Sequence, residues 1–470
     1  MSSPDSSEVF PPGTIKLEER QGLESEFKLS PTPSDDPDDP LNWSPLRKAV
    51  NFGLTCSYVL FTFVLVDINS LAYRGYMSEL GLTYATFNQA SGSNFAGLAI
   101  GCLLFIPYVH KFVCMCDLVG KFPPGRGTHW RHEAVVVITI VDLFFVHQHA
   151  RMNGIFLFMQ SLGSTGGPIA AGYIVVSMGW RWMWWMIAIF LGVNLILVLF
   201  FFEESKYIPL VKIAEPSTLR VATRSTVDVR RSRKSIRQRL AFVTKTDMPV
   251  VQHFYQPLLI LFSFPAVAYT AITYGTILAW FSANASSGSY FLLDEPYKFS
   301  PSAIGLFHLG GFLGTFIATL TIPALNDWFI VRAAKNNGGI FEPEMRLWMS
   351  IPGALLNCAG LLIYGIYGFG FITTADVALT YLTDCYPDIL GDALIAIVFI
   401  RNGFAMVVRF AFTPWINGMG IQNTFILIGM LALITVTLPI LLMIYGKRAR
   451  ASTADKYRKY AARQPVHKKA

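Results

Sequence analysis

Long apolar blocks recur along this 470-residue chain, for example over residues 49–71, 84–108 and 182–202. A helix of about 20 apolar residues crosses the ~30 Å hydrocarbon core of a bilayer, and these blocks are close to that length. Within lipid the backbone must satisfy its own hydrogen bonds, which helices do. Because 53% of the residues are hydrophobic and 14% are charged, the sequence predicts an all-α, multi-pass membrane protein.

Most of the positive charge lies outside the apolar blocks and indicates which side of the membrane each segment faces. The formal net charge is +8, with Lys and Arg gathered at Arg47 and Lys48, in residues 204–255 and in residues 447–470. Cytosolic loops carry such an excess. We therefore expect both termini and the middle segment in the cytosol, an even number of crossings in each half, and no nucleic-acid partner. No signal-peptide pattern opens the sequence, so we expect no cleaved leader.

Composition divides the chain into five segments. The first is rich in Ser, Pro, Asp and Glu, which is typical of a disordered tail. The predicted order is a disordered cytosolic tail, an N-terminal transmembrane half, a basic cytosolic linker, a C-terminal transmembrane half and a basic cytosolic tail, over residues 1–45, 46–203, 204–255, 256–446 and 447–470.

One apolar block contains glycines at fixed spacing, Gly163, Gly167 and Gly172, with Pro168 directly after the second. Glycines four and five residues apart line one helix face, where a neighbouring helix can approach at backbone distance. Proline removes one backbone donor and bends a helix. A tightly packed helix pair with no further role would show the same glycines, so this face alone leaves function open.

The full spacing G-x-x-x-G-P-x-x-x-G resembles motif C in the fifth helix of proton-coupled antiporters of the major facilitator superfamily. Two further stretches are similar to fungal drug/proton antiporters of that superfamily, Gly179-Trp-Arg-Trp182 and Asp39-Pro-Leu-Asn-Trp43. The resemblance covers nearly all of residues 39–450. It implies two pseudo-symmetric helical halves, alternating access to a midplane site, and export of small molecules against protons.

Two regions depart from the pattern of that family. Residues 110–133 contain charged residues and prolines that cannot occupy a lipid-facing helix, and the expected motif A loop, third helix and first half of the fourth are not visible. The following stump of about 15 apolar residues is too short to cross comfortably, so we expect a partial or re-entrant element. Residues 347–384 must form one over-long helix or two short ones. We expect an incomplete first half and about 10–11 spans rather than 12.

Asp67, late in the first predicted span, is the candidate for proton coupling. A carboxylate in an apolar span is costly, and it usually pairs, faces a cavity or carries protons. The alternative is a residue at the outer end of the span, already in interfacial water. Asn94 in the second span could donate a hydrogen bond across to Asp67 or simply pack there.

The second half contains further candidates for the proton or substrate pathway. His308 is either a protonation switch or a histidine satisfied by local contacts. Asp376 and Asp384 precede Arg401 and Arg409, and arginines in a span need anions nearby. We expect at least one Asp–Arg pair among these four residues, with a structural role rather than a coupling role.

Charged residues at the predicted cytosolic helix ends could form latches. Asp142 and Arg151 could make an ion-pair gate or a structural latch. Asp327 and Arg332, in the spacing Asp-x-x-x-x-Arg, resemble a degenerate second-half copy of motif A. Asn284 begins a glycosylation sequon in a predicted outer loop, close to the membrane.

The sequence contains no pattern that indicates catalysis. We find no nucleophile–base–acid set, phosphate-binding loop or nucleotide fingerprint, and Cys114-x-Cys116 lacks a second pair at zinc-site spacing. We expect no enzyme activity, cofactor or metal. Two functions remain open, a proton-coupled exporter and a degenerate or mis-spliced transporter-like protein without transport. The expected partners are a small-molecule substrate, protons and lipid, for a monomer in the plasma membrane rather than the vacuole.

Overall fold

The computed structural model describes most of the two helical halves. The described residues are 11–16, 40–113, 139–140, 143–144, 146–203, 244–245, 250–293, 295, 297–363, 367–435 and 437–461. Asp142, nearly all of the 110–133 insert, most of the stump and most of the 204–255 linker lie outside these residues. The predictions made for these residues stay predictions.

Six α-helices form the described part of the first half, residues 40–203. The Ser44 side chain caps α1 by accepting a hydrogen bond from the Arg47 N–H at 3.4 Å. α2 ends at Gly81, where a φ of +64° is a left-handed conformation that glycine adopts without strain. The helices are α1 (Pro45–Asp67), α2 (Tyr73–Leu80), α3 (Tyr84–Lys111), α4 (Val146–Ser161), α5 (Gly167–Met178) and α6 (Trp180–Phe201).

Eight α-helices form the described part of the second half, residues 250–461. The longest of them changes direction at Gly420, whose φ of +78° is not helical. The helices are α7 (Val250–Ser263), α8 (Pro265–Phe291), α9 (Pro301–Phe307), α10 (Leu309–Asn336), α11 (Ser350–Ile363), α12 (Tyr367–Cys385), α13 (Leu390–Thr435) and α14 (Thr437–Ala461).

Several of these helices are long and apolar enough to cross a membrane. Among the described residues, five helical stretches meet that condition: Pro45–Leu80, Trp180–Phe201, Pro265–Asn284, Pro301–Asn336 and Pro387–Ala461. The last of these includes the change of direction at Gly420. Exposed apolar side chains on α6, α10 and α14 suit contact with lipid.

The two halves share one apolar core. Val59 and Phe156 from the first half and Phe264 and Tyr381 from the second are all 2% exposed or less and belong to the same cluster. The most extensive contacts between the halves join α3 to α13 and α5 to α9. The core therefore runs across the boundary between the halves rather than staying within each.

The region of residues 347–384 forms two helices, α11 and α12, which pack side by side. Glycine permits their close approach, because a Cβ atom at Gly370 would lie 2.2 Å from the Asn357 backbone nitrogen. The alternative of one over-long helix is wrong. Residues 147–151 form the first turns of α4.

The terminal segments are more ordered than their composition predicts. Residues 11–16 lie within the predicted disordered tail, yet β1 (Ile15–Lys16) pairs antiparallel with β4 (Ile340–Phe341). At the other end, α14 continues through residues 447–461, which were predicted as a tail. Tertiary contacts supply the apolar and polar partners that these short segments lack by themselves. A second two-residue ladder pairs β2 (Phe112–Val113) with β3 (Thr244–Lys245).

Candidate functional site

The glycine-rich segment forms a continuous helical element with an irregular turn inside it. Residues Leu162–Gly166 form a π-helical turn between α4 and α5, and Pro168 lies in the first turn of α5. Proline offers no N–H and its ring crowds the preceding turn. The wider π turn directly before it accommodates both effects, so the predicted distortion is located on the N-terminal side of Pro168.

The glycine face of this element contacts both halves. A Cβ atom at Gly163 would lie 2.5 Å from the Leu60 carbonyl oxygen, and one at Gly167 would lie 2.8 Å from the Val64 side chain, both on α1. One turn further, a Cβ atom at Gly172 would lie 2.7 Å from the Pro301 carbonyl oxygen on α9. The face therefore fixes α5 against its own half and against the second half at backbone distance.

A cavity lies between the halves beside this element. The unfilled space at this site is about 540 Å³, a volume that includes open solvent. The first half contributes Asp67, Ser164 and apolar side chains, and the second half contributes Arg401 with polar and apolar neighbours. The lining residues are Thr62, Phe63, Val66, Asp67, Phe95, Leu98, Ser164, Leu278, Phe281, Ser282, Arg401 and Asn402.

Asp67 lies in the cavity wall close to polar groups of both halves. Its carboxylate lies within hydrogen-bonding reach of the Ser164 hydroxyl and close enough to Arg409 for an electrostatic interaction. Arg409 itself donates from Nε to Ser282 Oγ at 2.5 Å. The arrangement places an acid from the first half opposite basic groups of the second half.

Arg401 is held against the aromatic ring of Tyr274. Its guanidinium carbon lies 5.0 Å from the ring centroid, within the range of a cation–π interaction. The Tyr274 hydroxyl in turn donates to Gln160 Oε1 at 3.3 Å, on α4. These contacts link the two halves behind the cavity wall and orient Arg401 at that wall.

An apolar plug lies next to Asp67 in the cavity wall and contains residues from both halves. We use this name for the cluster of Val64, Ile68, Leu71, Ala72, Tyr73, Tyr76, Tyr84, Phe87, Ala171, Met183, Ile187, Leu293 and Ile304. Leu293 and Ile304 come from the second half, and the Arg74 guanidinium donates to the Leu293 carbonyl. Asn88 donates from Nδ2 to Thr413 Oγ1 at 3.0 Å, which adds a polar contact between the halves. The plug and these hydrogen bonds therefore join the two halves beside Asp67.

Several sequence-predicted residues lie away from the cavity wall. Asn94 is half-buried, and the described lining residues from α3 are Phe95 and Leu98. The interactions of Asp67 are instead with Ser164 and Arg409. His308 is 6% exposed at the junction of α9 and α10. Asp376 is 3% exposed on α12, where its charged neighbours are Arg346 and Asp327. Of the five pathway candidates, the structure brings together Asp67 and Arg401.

The latch-like charges of the second half are arranged around Arg346. Its Nε donates to Asp384 Oδ2, and its Nη1 lies 3.7 Å from Asp327 Oδ1. The predicted partner Arg332 is exposed and lies over the Trp328 ring, 5.9 Å from its centroid. At least one Asp–Arg pair was expected among Asp376, Asp384, Arg401 and Arg409. Asp384 does not supply it, because Arg346 reaches this carboxylate from the preceding 3₁₀ turn, Pro343–Met349. The charge of Arg346 and its position before α11 were the only sequence signals for this role.

We expect Arg346→Gln to destabilise the protein far more than Arg332→Gln does. The Asp384 side chain is 16% exposed, and removing one partner of a largely buried ion pair costs about 3–5 kcal/mol because the other charge stays uncompensated. Arg332 is solvated, so its loss costs little. Thermal unfolding of the two detergent-solubilised variants measures the difference. Equal midpoints would contradict the assignment of Arg346 as the centre of the network.

Two remaining predictions concern residues that were expected at the surface. Asn284 is 3% exposed inside α8, so the expectation of a glycosylation site in an outer loop is wrong. The helix α8 continues to Phe291 and holds Asn284 in a buried position. Arg151 is exposed in the second turn of α4, and Asp142 lies outside the described residues, so their pairing stays a prediction.

A family model and several known proteins match the sequence of this chain. A family model described as Major Facilitator Superfamily matches residues 133–387, more than half of the chain. An uncharacterized MFS-type transporter of Schizosaccharomyces pombe is 27% identical over 95% of this chain and 94% of its own length. The efflux pump radE of Floropilus chiversii is 25% identical over 89% of this chain and 84% of its own length.

The fold itself is similar to that of a solved transporter. The crystal structure of the human organic anion transporter MFSD10 superposes with a TM-score of 0.51, and the match covers 86% of this chain and 100% of that chain. At 15% sequence identity, this similarity concerns the arrangement of helices and not the substrate.

Proposed function

Because this chain belongs to the Major Facilitator Superfamily and is a multi-pass α-helical membrane transporter, we propose that it exports small molecules in exchange for protons. The observation that carries the proposal is the cavity between the halves, with Asp67 in its wall. A relative named as an efflux pump matches most of the chain, which supports export over import. The proposed site of action is the plasma membrane, and the proposed unit is a monomer.

The cavity suits a small molecule with an apolar body and a few polar groups. Phe63, Phe95 and Phe281 offer aromatic surface, whereas Ser164 and Asn402 offer hydrogen bonds. Binding sites for small molecules combine these two kinds of wall, because apolar contact supplies affinity and a few polar groups fix orientation. The wall combines contributions of both halves, as alternating access requires.

Asp67 is placed where opening of the plug would change its access to solvent. Val64 and Ile68, which flank it on the same helical stretch, belong to the plug, while Asp67 itself lines the cavity. An antiporter needs a carboxylate that exchanges protons with one side and then the other. Motion of the halves around the plug would provide that alternation, with protonation removing the charge that faces Arg409.

Efflux from proteoliposomes tests this proposal. Purified protein is reconstituted with a fluorescent amphipathic cation inside the vesicles, and a pH gradient is imposed in either direction. We expect efflux that depends on the sign of the gradient and stops when a protonophore dissipates it. Dye movement that ignores the gradient would contradict proton coupling. No movement with any of a panel of cationic, neutral and anionic dyes would favour the alternative, a transporter-like protein without transport.

A further inference from the structure

A short N-terminal segment, residues 11–16, docks on the second half although it precedes the first half in sequence. We call this segment the strap. In β1, Ile15 lies opposite Phe341 and Lys16 opposite Ile340 of β4, between α10 and the following 3₁₀ turn. Addition of a strand to a free edge supplies backbone hydrogen bonds that do not depend on side-chain identity. Specificity must therefore come from other contacts of the strap.

Gly13 provides the first specific contact. Its φ of +81° is a left-handed conformation, and a Cβ atom there would lie 2.4 Å from the Asp384 carbonyl oxygen and 3.1 Å from Cys385 Cα. Any other residue at position 13 would have a strained backbone conformation, and its Cβ atom would clash with the end of α12. The strap therefore fits closely over the end of α12, at the backbone of Asp384, whose side chain pairs with Arg346.

Arg450 on α14 provides the second specific contact. Its side chain is 1% exposed and makes two hydrogen bonds to Glu344, Nε to Oε1 at 2.8 Å and Nη2 to Oε2 at 2.5 Å. The remaining nitrogen, Nη1, donates to the Pro12 carbonyl oxygen and to Thr14 Oγ1, the latter at 3.1 Å. The strap thus closes over a buried ion pair and completes its hydrogen bonding.

The chain that follows the strap is anchored on the other half. Leu41 and Trp43 are buried, the Arg47 guanidinium carbon lies 3.8 Å from the centroid of the Trp43 ring, and Lys48 Nζ donates to the Leu41 carbonyl at 3.0 Å. Residues 17–39 therefore join a dock on the second half to an anchor on the first. Tethering keeps the strap at a high effective concentration near its dock, so even weak docking is populated and reversible.

We propose that the strap is an autoinhibitory clasp, which holds the second half in the arrangement seen with the plug closed and must undock before the plug opens. The dock is assembled from separate elements, β4, the end of α12 and α14, and the strap contacts all three. A group that binds one arrangement better stabilises that arrangement by the difference in binding free energy. The proposal rests on the alternating access in the proposed function.

A reversible cross-link tests the clasp. Ile15→Cys and Phe341→Cys are combined with Thr62→Cys in the cavity wall, in a background whose reactive native cysteines are replaced by serine. After mild oxidation, a membrane-impermeant maleimide is added on the plug side of sealed vesicles. We expect the 15–341 disulfide to form and to lower the rate of labelling at position 62 several-fold. Reductant should restore the rate, and variants with only one strand cysteine should not respond to oxidant.

A strap variant provides the matched comparison. Gly13→Val should lower the yield of the disulfide and raise the labelling rate, whereas Gly22→Val, in the segment after the strap, should change neither. Failure of the disulfide to form would overturn the docking, and a disulfide without effect on labelling would overturn the clasp. Labelling that never occurs, even in Gly13→Val, would also overturn it. Strap-dependent labelling without gradient-driven efflux would contradict the proposed function and leave the clasp supported.

Discussion

Replacing Asp67 by asparagine is expected to reduce pH-driven efflux to the level of empty vesicles while the protein still folds. The amide has the shape of the carboxyl group, and its oxygen can still accept a hydrogen bond from Ser164, which lies within reach. It cannot bind and release a proton, however. If Asp67 couples transport to the proton gradient, the variant keeps its cavity and loses its energy source.

The matched control is Asp455→Asn, which removes a carboxylate whose side chain is 98% exposed on α14. We expect its efflux to equal that of the wild type, because a solvated carboxylate outside the cavity takes no part in the cycle. Thermal unfolding and gel filtration of all three proteins check that folding is intact. An Asp67→Asn protein that still responds to the gradient would remove this residue from the coupling mechanism.

Replacing Gly163 by alanine is expected to destabilise the protein by about 1–3 kcal/mol, the range for overpacking a well-packed interior. The added methyl group would lie 2.5 Å from the Leu60 carbonyl oxygen and 2.9 Å from Phe63 Cβ. The nearer of these atoms belongs to the backbone, so relief requires a shift of α1. Because α1 carries Asp67, we also expect efflux to fall.

Gly192→Ala serves as the control for this substitution. Gly192 lies inside α6, and among the described residues no atom outside its own helix lies within 4 Å of a Cβ atom placed there. Alanine favours a helix over glycine by about 0.8–1.0 kcal/mol, so this variant should be as stable as the wild type or slightly more so. Equal unfolding temperatures for the two alanine variants would show that the glycine face is not a packing surface.

The sequence alone determined the class of the protein and its most closely packed helix face. Apolar blocks long enough to span a bilayer predicted an all-α membrane protein, and the solvent energetics behind that inference need no knowledge of the fold. The spacing of Gly163, Gly167 and Gly172 with Pro168 predicted close helix packing and resembled the major facilitator superfamily. The family is confirmed by the match over residues 133–387. These features lie within short stretches of the sequence, so they could be recognised without the tertiary structure.

Pairings between distant residues were decided only by the tertiary structure. Sequence spacing favoured Arg332 as the partner of Asp327, but Arg346 reaches both Asp327 and Asp384 because α10, α12 and the turn before α11 converge. Asn284 carries a valid sequon, yet it lies buried within α8. The sequence shows which side chains are present. It does not show which helix face each side chain lies on or how deeply it is buried.

The same limit explains the cavity and the strap. Asp67 was identifiable because a carboxylate in an apolar span is costly, but its proximity to Arg409 depends on packing between the two halves. Residues 11–16 have the composition of a disordered tail, and they become ordered because β4, Asp384 and Arg450 offer a dock made of distant segments. The composition of a segment determines the conformational entropy that it loses on ordering. The contacts that compensate for this loss form only in the folded protein.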